Sequence, residues 1–340
     1  MEFEVHHIIW FESSLHNRRQ YVKIDSTKSS FENITCGIPQ GSTLGPLLFL
    51  LYVNDLPNCV DKLSVRSFAD DTNLFYSSDN LKQLESVMNQ ELKQIYNYCA
   101  LNKLSINTAK TNYMLVSSSR CHPKINITGI EQKDYIKYLG VYIDKHLNWQ
   151  PQIQHVNNKL AKNLGILSKL RYYIDLNILK QIYYALIYPY LSYGILAWGC
   201  ASKTRLDCLR IKHNKCLRTI FFVHPRESAA PYFKLLTILK LDNIYKLKIC
   251  CFIHRMRNET DSIPDIFLDV LTPASRIHNH NTRFVSNLNY FRPRVSTNLG
   301  KTSFKFSAPK IWETVPPGLK CLPYHKFKKE WKSCLLTNQI

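Results

Sequence analysis

Ser64-Val65-Arg66-Ser67-Phe68-Ala69-Asp70-Asp71-Thr72-Asn73-Leu74-Phe75-Tyr76 decides how this chain is read. Two short runs of apolar and β-forming residues flank a pair of adjacent aspartates. Asp tolerates the tight backbone of a turn, so the pattern predicts a β-hairpin with strands at 64–68 and 72–77 and both carboxylates at its tip. Two carboxylates brought together repel and tend to share a proton. A divalent cation removes that conflict, and Mg²⁺ favours oxygen ligands of this kind. The plainer alternative is an exposed, Asp-rich turn with no ligand.

Upstream lies Cys36-Gly37-Ile38-Pro39-Gln40-Gly41-Ser42-Thr43-Leu44-Gly45-Pro46, running into the apolar segment Leu47-Leu48-Phe49-Leu50-Leu51-Tyr52. The glycines allow backbone to approach a ligand closely. Pro46 suits a first helical turn, and Ser42 or Thr43 suits a cap. Pro39-Gln40-Gly41-Ser42 with Leu44-Gly45-Pro46, followed at this spacing by Phe68-Ala69-Asp70-Asp71, resembles the reverse transcriptases of LINE-type (non-LTR) retrotransposons. The resemblance implies RNA-templated DNA synthesis by two-metal phosphoryl transfer with Mg²⁺. Asp70 would be the principal metal ligand and Asp71 the secondary one. Gly37, Pro39, Gln40, Gly41 and Ser42 would contact template and incoming nucleotide. Lys110 matches the family's lysine near the leaving pyrophosphate, where an ammonium can neutralise developing charge; an ordinary surface lysine is the alternative. Tyr138-Leu139-Gly140, at the fold of the expected strand pair 135–144, matches the primer grip.

Charge is unevenly distributed along the 340 residues. The net charge is +20, yet residues 1–80 carry 6 Lys/Arg against 10 Asp/Glu, and residues 81–340 carry 39 against 15. An acidic metal-site region followed by a basic remainder suits a polymerase holding a polyanion. Eleven cysteines, an odd number without a CxxC pair, indicate free thiols in a reducing compartment. Cys208, His213 and Cys216 loosely suggest a zinc knuckle, but their spacing on a helix does not converge them. The amino terminus has no signal-peptide pattern. Residues 181–202 are 22 uncharged residues, long enough to span a bilayer. Five tyrosines, Pro189 and two glycines within them predict instead two buried helices bent at Pro189. The expected location is therefore intracellular, in cytoplasm or nucleus, with no membrane partner.

In chain order, residues 1–12 read as the last turns of a helix, with His6 and His7 on different sides. Tyr21-Val22-Lys23-Ile24 reads as a strand. Leu81, Leu84, Met88, Leu92, Ile95 and Cys99 define an amphipathic helix over 81–104, and Tyr113–Val116 a strand. Pro151 to Tyr173 is a helix whose apolar stripe is Ile153, Val156, Leu160, Leu164, Leu167 and Leu170. Its position after the primer-grip pattern matches the family's thumb. Lys159, Lys162 and Lys169 would track a nucleic-acid backbone without reading bases. Further helices follow over 204–258, with Leu206, Leu209, Leu217 and Ile220 inward and Cys250 and Cys251 as core thiols. Residues 273–294 break into a polar loop, expected to be partly flexible, and a final helix is expected near 325–336.

The fold class is α+β, with a partial antiparallel palm over 1–148, thumb-like helices over 149–205 and a basic, mostly helical region over 206–340. The partners implied are an RNA template, a DNA primer and deoxynucleoside triphosphates. The resemblance also implies a further metal-binding Asp on a strand well upstream of Trp10-Phe11. This chain begins nine residues before Trp10, and none of Glu2, Glu4, Glu12, Asp25, Glu32, Asp55 and Asp61 stands in such a motif. The expectation is an N-terminally truncated, inactive fragment of a polymerase; a non-catalytic nucleic-acid-binding remnant is the alternative.

Overall fold

A computed structural model describes residues 9, 11–13, 15–35, 37–38, 41–117, 124–259, 263–277, 280 and 282–337. His6, His7, Trp10, His278 and Asn279 lie outside them. By their contacts the described residues form two compact units, one of 1–113 with 121–131 and one of 114–120 with 132–340.

The first unit mixes short strand pairs with one long helix. Strand β1 (Arg19–Gln20) pairs with β4 (Glu32–Asn33), and β2 (Lys23–Ile24) pairs with β3 (Thr27–Lys28). The apolar segment is helix α1 (Gly45–Tyr52), with Pro46 in its first turn, where the missing N–H costs nothing. Ser42 Oγ accepts the Gly45 N–H at 2.9 Å, although Leu44 occupies the cap position. Strands β5 (Ser64–Phe68) and β6 (Asp71–Phe75) form the expected hairpin. Helix α2 (Leu81–Leu101) starts where Asn80 Oδ1 accepts the Lys82 and Gln83 N–H groups. Its buried residues Leu84, Val87, Leu92 and Ile95 recur at helical spacing, and Val87 and Ile95 join Leu56, Val60, Leu63 and Val65 in a small core. The strand expected over 113–116 is only Asn112–Tyr113. Each sheet among the described residues has two strands, so the strands expected to form one antiparallel sheet are separate ribbons.

The second unit is mostly helical. Strands β7 (Tyr135–Tyr138) and β8 (Val141–Asp144) form a hairpin, followed by α3 (Gln150–Leu170). Residues 176–198, expected as two helices bent at Pro189, are three: α4 (Leu176–Leu186), α5 (Tyr188–Ser192) and α6 (Ile195–Trp198). Pro189 sits in the first turn of α5, and Gly194 at φ +62° makes the second break. Among the described residues no helix is long and apolar enough to cross a membrane. Then come α7 (Lys203–Ile220), α8 (Ala230–Leu235) and α9 (Leu241–Asn258). Helices α10 (Phe304–Trp312) and α11 (Tyr324–Thr337) pack on α9. Between α9 and α10 the polar stretch forms a short helix, Arg283–Ser286, and a bridge between Pro273 and Tyr290.

The core of this unit is continuous from Ile153 to Leu335, with Tyr183, Trp198, Phe233, Trp312 and Phe327 fully buried. Long-range polar contacts close it. Asn243 Nδ2 donates to Leu335 O at 3.1 Å, and Trp312 Nε1 to Leu288 O at 2.9 Å. The buried Lys320 ammonium donates to Asn287 O and Asn289 Oδ1 beneath the Trp312 ring. Segments expected as thumb and as C-terminal region therefore share one interior. Hairpin β7–β8 belongs to this helical unit by its contacts, upstream of the expected boundary at 148, because it packs on α3.

Candidate active site

In the first unit the register Phe68↔Asp71 leaves a two-residue turn, Ala69-Asp70. Asp71 is thus the first residue of β6, one position earlier than expected. Of the two turn residues only Ala69 has positive φ, at +52°, the sign pattern of a type II′ turn that normally takes glycine first. A β-carbon in that region costs on the order of 1–2 kcal/mol. Ser67 and Thr72 hydroxyls meet across the strands at 3.4 Å, and both aspartates are exposed. Two adjacent exposed carboxylates are hard oxygen donors of the kind Mg²⁺ favours, and Asp70 and Asp71 are the residues that would hold such an ion. Among the described residues no three His, Cys, Asp or Glu side chains come together.

The hairpin is anchored by a residue that periodicity does not flag. Glu91 on α2 is buried, and its Oε2 accepts the Asp61 and Lys62 N–H groups at 2.9 and 3.2 Å. These amides lead directly into β5. Gly37 and Gly41 adopt φ of +77° and +81°, and the Arg18 guanidinium donates to Gly37 O. Pro39 and Gln40 lie outside the described residues. Lys110 is exposed in the turn after α2, where Asn107 Oδ1 accepts its N–H at 3.2 Å.

In the second unit the turn of hairpin β7–β8 is Leu139-Gly140, both at positive φ (+44° and +82°), the type I′ pattern. Tyr193 OH donates to Leu139 O at 2.6 Å. A β-carbon on Gly140 would stand 3.2 Å from the Tyr193 ring, and one on Gly194 only 2.7 Å from Val141 Cγ2. The chain at 193–194 is therefore seated directly against the turn at 139–141. Buried Asp144 joins the hairpin to α3. Its Oδ1 accepts the Trp149 N–H at 2.7 Å and its Oδ2 those of His146 and Asn148 at 3.2 Å. Gln152 Oε1, also buried, accepts the Tyr142 N–H at 2.9 Å. Asp144, Gln152 and Tyr193 escape sequence reading; the only signal is an Asp shortly before a helix start, an Asx-type turn pattern.

Helix α3 separates its faces cleanly. Ile153, Val156, Leu160, Leu164 and Leu167 are buried, while His155, Lys159, Lys162, Ile166 and Lys169 recur at intervals of four and three on another face. Lys162 and Lys169 are exposed and Lys159 is half-buried. The line from His155 to Lys169 is roughly 21 Å long at 1.5 Å per residue. At its start the His155 ring packs at a tilt against Tyr142, with ring centroids 5.0 Å apart, and the Lys137 ammonium stands over Tyr142. Burial, then the ammonium groups of Lys159 and Lys137, lower the His155 pKa. His213, by contrast, is buried inside the helical unit, 2.9 Å from Tyr183 OH.

Residues 1–143 match the family of the reverse transcriptase (RNA-dependent DNA polymerase). The chain is 27% identical over 235 residues to an RNA-directed DNA polymerase from the mobile element jockey of Drosophila melanogaster, covering 65% of this chain and 25% of that protein. It is likewise 27% identical over 293 residues to the probable RNA-directed DNA polymerase from transposon X-element of the same fly, covering 83% and 30%. A Pol polyprotein from a type-1 retrotransposable element R1 of Bradysia coprophila is 23% identical over 201 residues, covering 56% and 20%. The chain thus spans a quarter to three tenths of the length of the first two relatives. No solved structure matches it. Residues 1–143 thus match the reverse transcriptase family, and over that stretch and beyond it the chain is similar to the RNA-directed DNA polymerases of LINE-type non-LTR mobile elements.

Proposed function

We propose that this chain is part of a retrotransposon RNA-directed DNA polymerase, contributing metal-binding carboxylates and a basic helix that holds an RNA–DNA hybrid. One observation carries the reading: the Asp70-Asp71 pair stands exposed at a strained two-residue turn, in a segment that matches the family. A bound Mg²⁺ supplies Lewis-acid stabilisation of charge developing on phosphate oxygens. Asp70 and Asp71 would orient that ion. Glu91 would fix the height of the hairpin through the backbone it holds. Gly37, Pro39, Gln40, Gly41 and Ser42 would position template and nucleotide, and Lys110 the leaving pyrophosphate. Tyr138, Leu139 and Gly140 would support the primer end, braced by Tyr193. Lys159, Lys162 and Lys169 would follow the hybrid's phosphates as the first line of a thumb.

Two-metal transfer needs ligands for both ions, and no third carboxylate joins Asp70 and Asp71 among the described residues. The 340-residue chain alone is therefore expected to extend no oligo(dT) primer on poly(rA) with Mg²⁺ or Mn²⁺. The same observation favours a second reading, a nucleic-acid-binding remnant without catalysis. Fluorescence anisotropy on a blunt RNA–DNA hybrid across a salt series tests what the readings share. With about six phosphate contacts the log–log slope is about −5. Changing Lys159, Lys162 and Lys169 to Glu should weaken binding and flatten the slope, and Asp70→Ala should leave both unchanged. A slope near zero overturns the binding role, and primer extension abolished by Asp70→Ala overturns the expected inactivity.

A further inference from the structure

The end of helix α3 is built unusually. Its C-cap, Arg171, reaches across to the end of α7, where Nη1 donates to Thr219 O at 3.2 Å. Nη2 donates to Tyr172 OH at 2.8 Å. The guanidinium carbon lies 4.8 Å from the Tyr172 ring centroid and 4.4 Å from that of Phe222, and the two rings meet edge to face at 5.3 Å. Helix α7 closes in a Schellman turn, with Val223 N–H bonded to Arg218 O and Phe222 N–H to Thr219 O. The left-handed position of that turn normally takes glycine. Here Phe222 occupies it at φ +57° and is 52% exposed. Tyr172 and Tyr173 are 65% and 87% exposed.

Three large rings are thus held at a surface instead of being buried, two of them locked by one arginine. Arg171 is committed to the carbonyl end of α7, whose partial negative charge it offsets. Its role at the cluster is to fix the rings, which leaves their outer faces for a ligand that stacks. The position indicates which ligand. Tyr172 and Tyr173 follow Lys169 by three and four residues, in the turn that leaves the C-terminal end of α3, so they come just past the end of the helix that carries Lys159, Lys162 and Lys169. A strand whose phosphates follow those lysines brings its bases to the rings. Paired bases hide their faces inside the helix, whereas unpaired bases stack readily on aromatic side chains.

We propose that Tyr172, Tyr173 and Phe222 form a stacking platform for unpaired nucleobases, receiving the single-stranded continuation of a nucleic acid whose backbone lies along Lys159, Lys162 and Lys169. The proposal rests on the hybrid-binding reading above for its orientation, but the platform can be tested apart from it. Anisotropy is measured with the full chain on three probes: a blunt RNA–DNA hybrid, the same hybrid with a short single-stranded overhang, and the single strand alone. Tyr173→Ala combined with Phe222→Leu should weaken the overhang and single-strand probes about tenfold. It should leave the blunt probe within about twofold and the salt slope unchanged, because no phosphate contact is lost. Tyr172→Phe keeps the ring and should bind normally. Tyr173→Ala alone, at a site with little to pack against, gives the readout if the double variant does not fold.

Equal weakening on all three probes, or none on the overhang, overturns the platform. So does a change confined to self-association in sedimentation velocity, which would make the rings a protein contact. If the blunt hybrid shows no salt-dependent binding while Tyr173→Ala still weakens single-strand binding, the platform stands and the hybrid-tracking reading falls. If no probe binds, both fall.

Discussion

Asp144→Ala should loosen the joint between hairpin β7–β8 and helix α3. Its carboxylate is 6% exposed and accepts three backbone N–H groups, from His146, Asn148 and Trp149. A hydrogen bond to a charged acceptor contributes on the order of 1.5–3 kcal/mol, and an orphaned buried donor costs a similar amount. The short bond to Trp149 counts in full. The two longer ones count in part, since His146 is exposed and water can take over its amide. The sum is about 3 kcal/mol. For a unit of this size each kcal/mol moves Tm by about 2–4 °C, so the unit's transition should fall by roughly 6–12 °C. Asp144→Asn keeps one oxygen toward Trp149 and should lose about half as much. Trp149 is held at φ +66° by this contact, so its fluorescence should report the release before global unfolding. Thermal melts followed by circular dichroism at 222 nm are the assay. A melt of Asp144→Ala within about 3 °C of the parent would refute the reasoning, and would mean that the loop at 145–149 is held by something other than this carboxylate.

Glu91→Leu strands the Asp61 and Lys62 amides and should cost about 2 kcal/mol, lowering hydrogen-exchange protection in β5 and β6; unchanged protection sinks the anchoring role. Burial lowers the His213 pKa to about 3, so the unfolded chain takes up a proton that the folded one refuses between that value and the ordinary 6.5. Stability from this group is complete above pH 6.5 and is lost as pH falls towards 3, by roughly 2 kcal/mol at pH 5. His254, lowered mainly by burial, acts in the same direction. Urea midpoints at pH 7 and pH 5 should differ accordingly, and His213→Gln should remove most of the difference; equal midpoints in the parent would contradict the burial. Removing residues 259–340 strips Trp312, Phe327 and Leu335 from the shared interior, so residues 132–258 should lose their cooperative melt; a sharp transition in that variant would show that two cores exist.

Local pattern determined a good deal of this protein. The β-forming flanks of Asp70-Asp71 specified a hairpin, and the structure adds only the exact turn, Ala69-Asp70, with Asp71 already in the strand. The stripe Ile153–Leu167 specified the buried side of α3 and, by subtraction, the line of Lys159, Lys162 and Lys169. Leu206, Leu209, Leu217 and Ile220 are inward as their spacing requires. In each case the information lies within one or two turns of chain, where periodicity and side-chain geometry operate. What only the tertiary structure decided involves partners far apart in sequence. Glu91 looks like a solvent-facing helix residue until the Asp61 and Lys62 amides, about thirty positions away, are brought to it. Phe222 reads as an ordinary apolar residue until Arg171 crosses from another helix and fixes its ring at the surface. The expected boundaries at 148 and 205 follow motif order, whereas one interior runs from Ile153 to Leu335, because apolar faces are buried by whichever helices pack against them. Periodicity marks the face a helix buries; which distant segment covers it, and which polar group is drawn in alongside, depends on the packed whole.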